Sequence, residues 1–286
     1  MSDVPGRLLV CATPIGNLGD VTLRVLDALR DADVIEAEDT RVTRKLLARF
    51  DIHTAMEAYH AKNLEARTPA VVERVRRGET VALVSDAGMP GVSDPGAALV
   101  AACVDAGLPV EVLPGASAIV TALVASGLPT HAFYFGGFLP RKAGECRRAL
   151  EKLRDLDATL VFYESPRRAA ETLAAVAAVL PGRPAAVARE LTKVFEEVAR
   201  GPVEQLAEEL AARELKGEVV LLVGPPERKQ APASPEPEVV RRMVASHVAS
   251  GMSRKDAIRA VATETGMGRN AVYAIALGDG GPTSSS

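Results

Sequence analysis

From Arg7 onward, short apolar runs alternate with helical stretches, and the runs end in turns of glycine, proline and small polar residues. LLVCAT (8–13), DVIEAED (33–39), TVALVSDAG (80–88) and VEVLPG (110–115) form a first set. That alternation is the pattern of a parallel sheet covered by helices. The helices between are well punctuated. Asp94, Pro95 and Gly107 bracket GAALVAACVDA, with an N-cap, a proline at the first helical position and a closing glycine. Ser117 is placed to cap AIVTALVAS, and Ser165 with Pro166 to open RRAAETLAAVAAVL.

A second set of runs follows: FYFGGF (133–138), TLVFYE (159–164), PAAVARE (184–190), VFEEVARG (194–201) and EVVLLVG (218–224), with helices near 142–154 and 203–213. The close spacing of the third and fourth suggests a hairpin, so this sheet is expected to be mixed. A chain of 286 residues suits about two domains. The expected organisation is an N-terminal α/β domain (1–115), a second α/β domain (116–226), a Pro- and charge-rich linker (227–238), a small helix-turn-helix-like helical appendage (239–278) and a disordered tail (279–286).

Composition narrows the function classes. Hydrophobic residues at 48% with 25% charged exclude wholesale disorder. Tryptophan is absent and aromatics are 3%, which argues against a base-stacking platform as the main surface. A formal charge of −3 argues against coating nucleic acid by phosphate neutralisation, while leaving room for a local basic patch on a structured RNA. Cys11, Cys103 and Cys146 are scattered and odd in number, and His53, His60, His131 and His247 lack ligand spacing, so neither disulfides nor a metal are expected. With no secretory pattern and no apolar run near the roughly 18 residues that cross a bilayer, the expectation is a soluble, cytoplasmic protein without membrane contact.

In open α/β sheets ligands bind beyond the carboxyl ends of the strands, so the turns TPIGNLGD (13–20), EDTR (38–41), SDAGMPGVSDPG (85–96) and PGASA (114–118) are the candidate site. None has the GxGxxG order, and the chain lacks a GxxxxGK[ST] phosphate loop, which weakens dinucleotide and nucleoside-triphosphate readings. Among acidic groups beside these turns, Glu38, Asp39 and Glu190 are candidate bases, Asp39 and Glu190 foremost; Arg41 and Lys193 can steady a carboxylate, a hydroxyl or a phosphate.

The ordered run TPIGNLGD, EDTR, SDAGMPGVSDPG, LPGASAI, FYESPRR, ARELTK and GEVVLLV resembles the tetrapyrrole methylase superfamily. Within it, the chain is similar to the branch that methylates a cytidine 2′-hydroxyl of small-subunit (16S) ribosomal RNA. The resemblance implies a two-domain tetrapyrrole-methylase-like α/β fold, S-adenosylmethionine (SAM) folded into the cleft between the domains, and a homodimer acting on ribosomal RNA in the small subunit. Carried onto this chain, it implies that Pro14, Ser85, Asp86, Ala87, Gly88, Pro114, Ser117, Ala118, Tyr163, Glu164, Gly217, Glu218 and Val219 surround the cofactor. Porphyrin-methylating members commonly carry Gly-Asp-Pro where this chain has Ser85-Asp86-Ala87, which points away from tetrapyrrole substrates. A shallow apolar slot edged by turn amides and carbonyls suits SAM, which carries no phosphate.

RNA contact is expected from two patches. Arg41, Lys45 and Arg49 recur at four-residue steps on one helical face, and PRKAGECRRALEKLR (140–154) contributes Arg141, Lys142 and Arg147; Lys193 joins them. Plainer readings compete at each position. Asp39 equally reads as a helix cap, Asp86 as a turn residue, Ser165 as a cap, Arg167 and Arg168 as a solvated helix face, and Glu190 with Lys193 as a surface pair. The competing functions are a methylase of a porphyrin-like or other small molecule, and a nucleic-acid-binding regulator using the 253–277 helices.

Overall fold

A computed structural model describes residues 6–226 and 235–277. Residues 227–234 of the expected linker and all of the expected 279–286 tail lie outside the described residues. The chain divides after Pro226 into two compact units.

The first unit opens with β1 (Arg7–Cys11), α1 (Leu23–Asp31), β2 (Val34–Ala37), α2 (Thr40–Arg49), β3 (Met56–Ala58), α3 (Leu64–Arg76), β4 (Thr80–Val84), α4 (Gly96–Asp105) and β5 (Val110–Leu113). Its strands form a five-stranded sheet in the order β3-β2-β4-β1-β5, every pair parallel. Alternate residues feed separate cores: Leu9, Cys11, Ile35, Ala82 and Val84 on one face, Leu8, Val10, Val34, Val81 and Leu83 on the other. That two-sided burial is why these strands read as unbroken apolar runs. The short edge strand β3 escapes sequence reading, because Met-Glu-Ala carries no β-branched or aromatic residue. Parallel strands deliver all their carboxyl ends to one edge, so the turns after β2, β4, β1 and β5 gather there in neighbouring order.

α5 (Ala118–Ser126) leads into β6 (Phe133–Phe138), α6 (Ala143–Glu151), β7 (Thr159–Glu164), α7 (Ala169–Val179), β8 (Pro184–Arg189), β9 (Glu197–Pro202), α8 (Val203–Ala211) and β10 (Val219–Val223). The second sheet runs β6-β7-β10-β8-β9, with β6 parallel to β7 and the other pairs antiparallel. This is the expected mixed sheet, and β8–β9 is the expected hairpin. Leu173 and Val176 of α7 and Leu206 and Leu210 of α8 pack on one face. On the other, Ala122 and Leu123 of α5 pack with Val161, Ala186, Ala188 and Leu222. Ile15, from the turn after β1, is buried in that same cluster, so a first-sheet loop plugs the second-sheet core.

Three local expectations need correction. α7 is capped at Arg168 rather than Ser165, because residues 165–168 form a preceding turn in which Ser165 O accepts from Arg168 N at 3.1 Å. Arg168 is not on a solvated face: it donates to Leu139 O (3.5 Å) and Pro140 O (3.2 Å) and pairs with buried Glu164. Asp94 lies one residue ahead of the Pro95 cap of α4, and its Oδ1 accepts from Gly96 N at 2.7 Å and Gly91 N at 2.8 Å, tying off the long turn.

The second unit contains α9 (Pro237–Ala249), α10 (Arg254–Thr265) and α11 (Arg269–Leu277), packed around Val240, Val244, Ala257, Ile258, Val261 and Val272. α9 opens at Pro237, so the last two residues of the expected linker are helical. Ser253 caps α10 by accepting from Asp256 N at 3.2 Å, and Gly266 ends it at φ +68°. Among the described residues no helix is long and apolar enough to cross a membrane.

Candidate functional site

The turns after β1 and β4 are bonded to each other. Thr13 N donates to Gly88 O at 2.8 Å, Gly88 N to Thr13 O at 3.0 Å, and Thr13 Oγ1 to Ser85 O at 3.0 Å. Gly88 has φ +81°, so the glycine supplies a left-handed turn, and a Cβ there would come into contact with Ile15 Cγ2 at 3.5 Å and Ala116 O at 3.7 Å. The turn after β2 joins through carboxylates: Asp86 Oδ1 accepts from Asp39 N at 3.0 Å, and Glu38 Oε2 from Asp86 N at 3.3 Å.

Two adjoining hollows open over these turns and share Ile15, Ala87 and Glu218. The first, about 240 Å³, is a slot walled by Gly88, Met89, Val92, Ala118, Phe138, Tyr163, Ala188, Leu191, Val219 and Val220, with Ser117 and Glu164 among its polar groups. Tyr163 anchors an aromatic wall, its ring centroid 4.9 Å from Phe135 and 5.7 Å from Phe138. The charged side chains lining this slot are both carboxylates, Glu164 and Glu218. The second hollow, about 410 Å³, differs in kind: Thr13, Pro14, Gly16, Thr43, Ser85 and Asp86 line it together with two lysines, Lys45 and Lys193. Thr43 Oγ1 is buried there without a hydrogen-bond partner among the described residues.

Of the residues carried over for the cofactor, Ala87, Gly88, Ser117, Ala118, Tyr163, Glu164, Glu218 and Val219 line the slot, and Pro14, Ser85 and Asp86 line the neighbouring hollow. Pro114 and Gly217 line neither. Gly217, at φ +89°, makes room for a neighbour: a Cβ there would collide with the Glu190 carboxylate. Ser117 is the N-cap of α5 but makes no capping hydrogen bond. Sequence reading missed Ile15, Met89, Val92, Phe138, Ala188, Leu191 and Val220. Ile15 had one signal, a large apolar residue inside a polar turn.

The candidate bases have other duties. Asp39 caps α2, accepting from Arg41 N at 2.8 Å, and grips the Arg41 guanidinium, with Nη2 2.6 Å from Oδ2. Those bonds from Arg41 hold its carboxyl well below the usual carboxylate range. Glu190, at φ +50°, accepts from Lys193 Nζ at 2.8 Å and Glu218 N at 3.0 Å, and its pKa is lowered, first by Lys193. Lys193 Nζ also reaches Glu218 Oε2 at 3.2 Å. Glu38 differs: burial first, and then the nearby Asp86, Asp94 and Asp39 charges, push its pKa up against the opposing Asp86 N–H bond. The α6 patch is internally paired in part, Lys142 with Glu145 at 3.3 Å and Arg147 with Glu151 at 2.9 Å, while Arg141 is exposed; neither they nor Arg41 line either hollow.

Residues 7–207 match the family model for tetrapyrrole (corrin/porphyrin) methylases. The chain is 45% identical to a Mesorhizobium japonicum protein named ribosomal RNA small subunit methyltransferase I, over 98% of this chain and 99% of that protein. A Halalkalibacterium halodurans protein of the same name is 44% identical, over 96% and 95% of the respective chains. In fold, the chain is similar to a crystal structure of uroporphyrin-III C-methyltransferase from Thermus thermophilus complexed with S-adenyl homocysteine. The TM-score is 0.55 at 21% identity, and the match covers 77% of this chain and 97% of that one.

Proposed function

Because the chain belongs to the tetrapyrrole (corrin/porphyrin) methylases, we propose that it is a SAM-dependent methyltransferase of small-subunit ribosomal RNA, with a cytidine ribose 2′-hydroxyl as acceptor. The near-full-length relatives named for small-subunit ribosomal RNA support the substrate. The observation that carries the reading is the make-up of the slot, an aromatic and aliphatic wall whose charged lining groups are carboxylates, beside a hollow lined by two lysines together with Asp86 and the shared Glu218.

A phosphorylated cofactor would find no cation in the slot wall, because Arg168 and Lys193 are engaged by Glu164 and Glu218, whereas a slot edged by these carboxylates tolerates a sulfonium. The aromatic and aliphatic walls suit an adenine and a thioether, and Gly88 in the slot wall offers backbone rather than side chain to a ligand. The residues thus fit SAM. Bound there, SAM supplies an electrophilic methyl group. Lys45 is placed to hold a nucleotide phosphate, while Lys193, paired with Glu190 and Glu218, reaches one by exchanging a carboxylate partner for it. Fixing an acceptor beside a donor supplies roughly 7–11 kcal/mol of such a barrier, against about 10²- to 10⁴-fold from a general base. Positioning by the two hollows is therefore the main contribution of the protein.

The enzyme acts in the cytoplasm, where its substrate assembles, and as a homodimer. Val120 and Val124, exposed one turn apart on α5, support pairing with a second copy, and sedimentation equilibrium tests it. The decisive experiment incubates the protein and tritiated SAM with undermethylated small subunits or with uroporphyrinogen. Label in the ribosomal RNA, mapped by mass spectrometry to a 2′-O-methylcytidine, is the expected result; label in the tetrapyrrole alone overturns the reading.

A further inference from the structure

The connection between β8 and β9 is built unlike an ordinary hairpin loop. Two of its non-glycine residues, Glu190 (φ +50°) and Thr192 (φ +65°), hold left-handed backbone, a conformation that persists only where surroundings enforce it. The enforcement is visible. Glu196 Oε2 accepts from Thr192 N at 2.6 Å, Glu196 N donates to Lys193 O at 3.1 Å, and Lys193 Nζ is clamped between Glu190 and Glu218. From this tethered frame Val194 and Phe195 stand out into solvent, 93% and 72% exposed.

Among the described residues Phe195 is the most exposed aromatic side chain, in a protein whose aromatics total 3%. It follows by two positions a lysine that lines the hollow assigned above to the acceptor nucleotide. A tethered loop that holds an aromatic ring in water two residues beyond a lysine of the acceptor hollow fits one kind of partner, an unpaired base lifted out of its RNA stack. Sequence-selective RNA recognition commonly receives such bases on aromatic faces. We propose that the 190–196 loop is the nucleotide-recognition element of this enzyme, with the base of the acceptor or its immediate neighbour stacked on Phe195 and Lys193, held by Glu190 and Glu218, fixing the loop at the rim of the acceptor hollow. The proposal rests on the ribosomal RNA reading.

The test compares the full-length wild type with F195A and F195W in three measurements: the KM for undermethylated small subunits, SAM affinity by calorimetry, and mass in solution by light scattering. Because Phe195 is mostly in solvent, both variants retain the fold. F195A is expected to raise the KM about tenfold or more, with SAM affinity and mass unchanged, and F195W to restore it. An unmoved KM in F195A overturns the inference alone. A change of mass assigns the ring to contact with a second copy, and a loss of SAM affinity assigns it to the slot; each also overturns it. A wild type that binds SAM but leaves the subunit unmethylated overturns the functional reading and this inference with it.

Discussion

Gly16 and Lys193 meet so closely that a Cβ on the glycine would lie 2.6 Å from Lys193 Cγ. Leu191 O and Thr192 Oγ1 would each be 2.8 Å away. The turn after β1 and the strained β8–β9 loop, one from each sheet, therefore share a single packed contact at the wall of the lysine-lined hollow.

Gly16→Ala forces that contact apart, since a backbone carbonyl cannot rotate out of the way as a lysine can. The expected cost is about 1–3 kcal/mol in urea unfolding, with a fall of tenfold or more in subunit methylation. Wild-type rates together with unchanged unfolding would show that the contact positions nothing.

Tyr163→Ala removes the ring on which Phe135 and Phe138 lean. SAM affinity is expected to fall about two- to tenfold by calorimetry, the scale of an aromatic contact worth roughly 0.5–1.5 kcal/mol. Tyr163→Phe keeps the ring and is expected to bind as the wild type does. Equal losses in both variants would move the role from the ring to the hydroxyl.

Glu38→Gln tests the raised carboxyl. Its pKa is higher in the folded chain than in the unfolded one, so the folded state holds its proton longer. Wild-type stability falls as pH rises from the ordinary glutamate value of about 4.3 through the folded pKa. Glutamine removes that penalty while leaving an oxygen to accept from Asp86 N. The variant is expected to gain stability relative to wild type as pH rises above the ordinary glutamate value, read from urea midpoints; a difference independent of pH would refute it.

Asp39→Ala and Glu190→Ala separate positioning from proton abstraction. Because Arg41 and Lys193 already hold these carboxylates, each variant is expected to lose less than the roughly 10²-fold in kcat that removal of a base entails. Asp39→Ala also lowers the thermal midpoint through the lost α2 cap, and Glu190→Ala shifts mainly the KM for subunits by freeing Lys193. A larger fall in kcat with folding intact would reinstate the residue concerned as a base.

Much of the fold was legible in the chain because its signals are local. Runs such as LLVCA and TVALV are apolar on successive residues since both faces of a parallel strand are covered, and the Pro-Gly and Asp-Ala-Gly turns after them mark strand ends without reference to anything distant. The mixed second sheet showed in the short step from PAAVARE to VFEEVARG. β3 did not show, since three residues of weak strand preference form a strand only because β2 offers an open edge.

The succession of strands along the chain, β3 apart, and the residues that turn it were thus legible in the sequence itself, through apolar periodicity and backbone preference acting within a few residues, while their order within each sheet came from tertiary pairing. Which side chains wall the site was decided only by tertiary structure. Ile15 becomes a plug in the second core, Phe138, Leu191 and Val220 become slot walls, and Gly217 becomes the space that Glu190 fills, because chain segments far apart in sequence pack at one sheet edge. Asp39 and Glu190 carry the same carboxylate in either description. Whether such a group abstracts a proton or holds a cation is set by the partner a few ångströms away, and that distance exists only in the folded molecule.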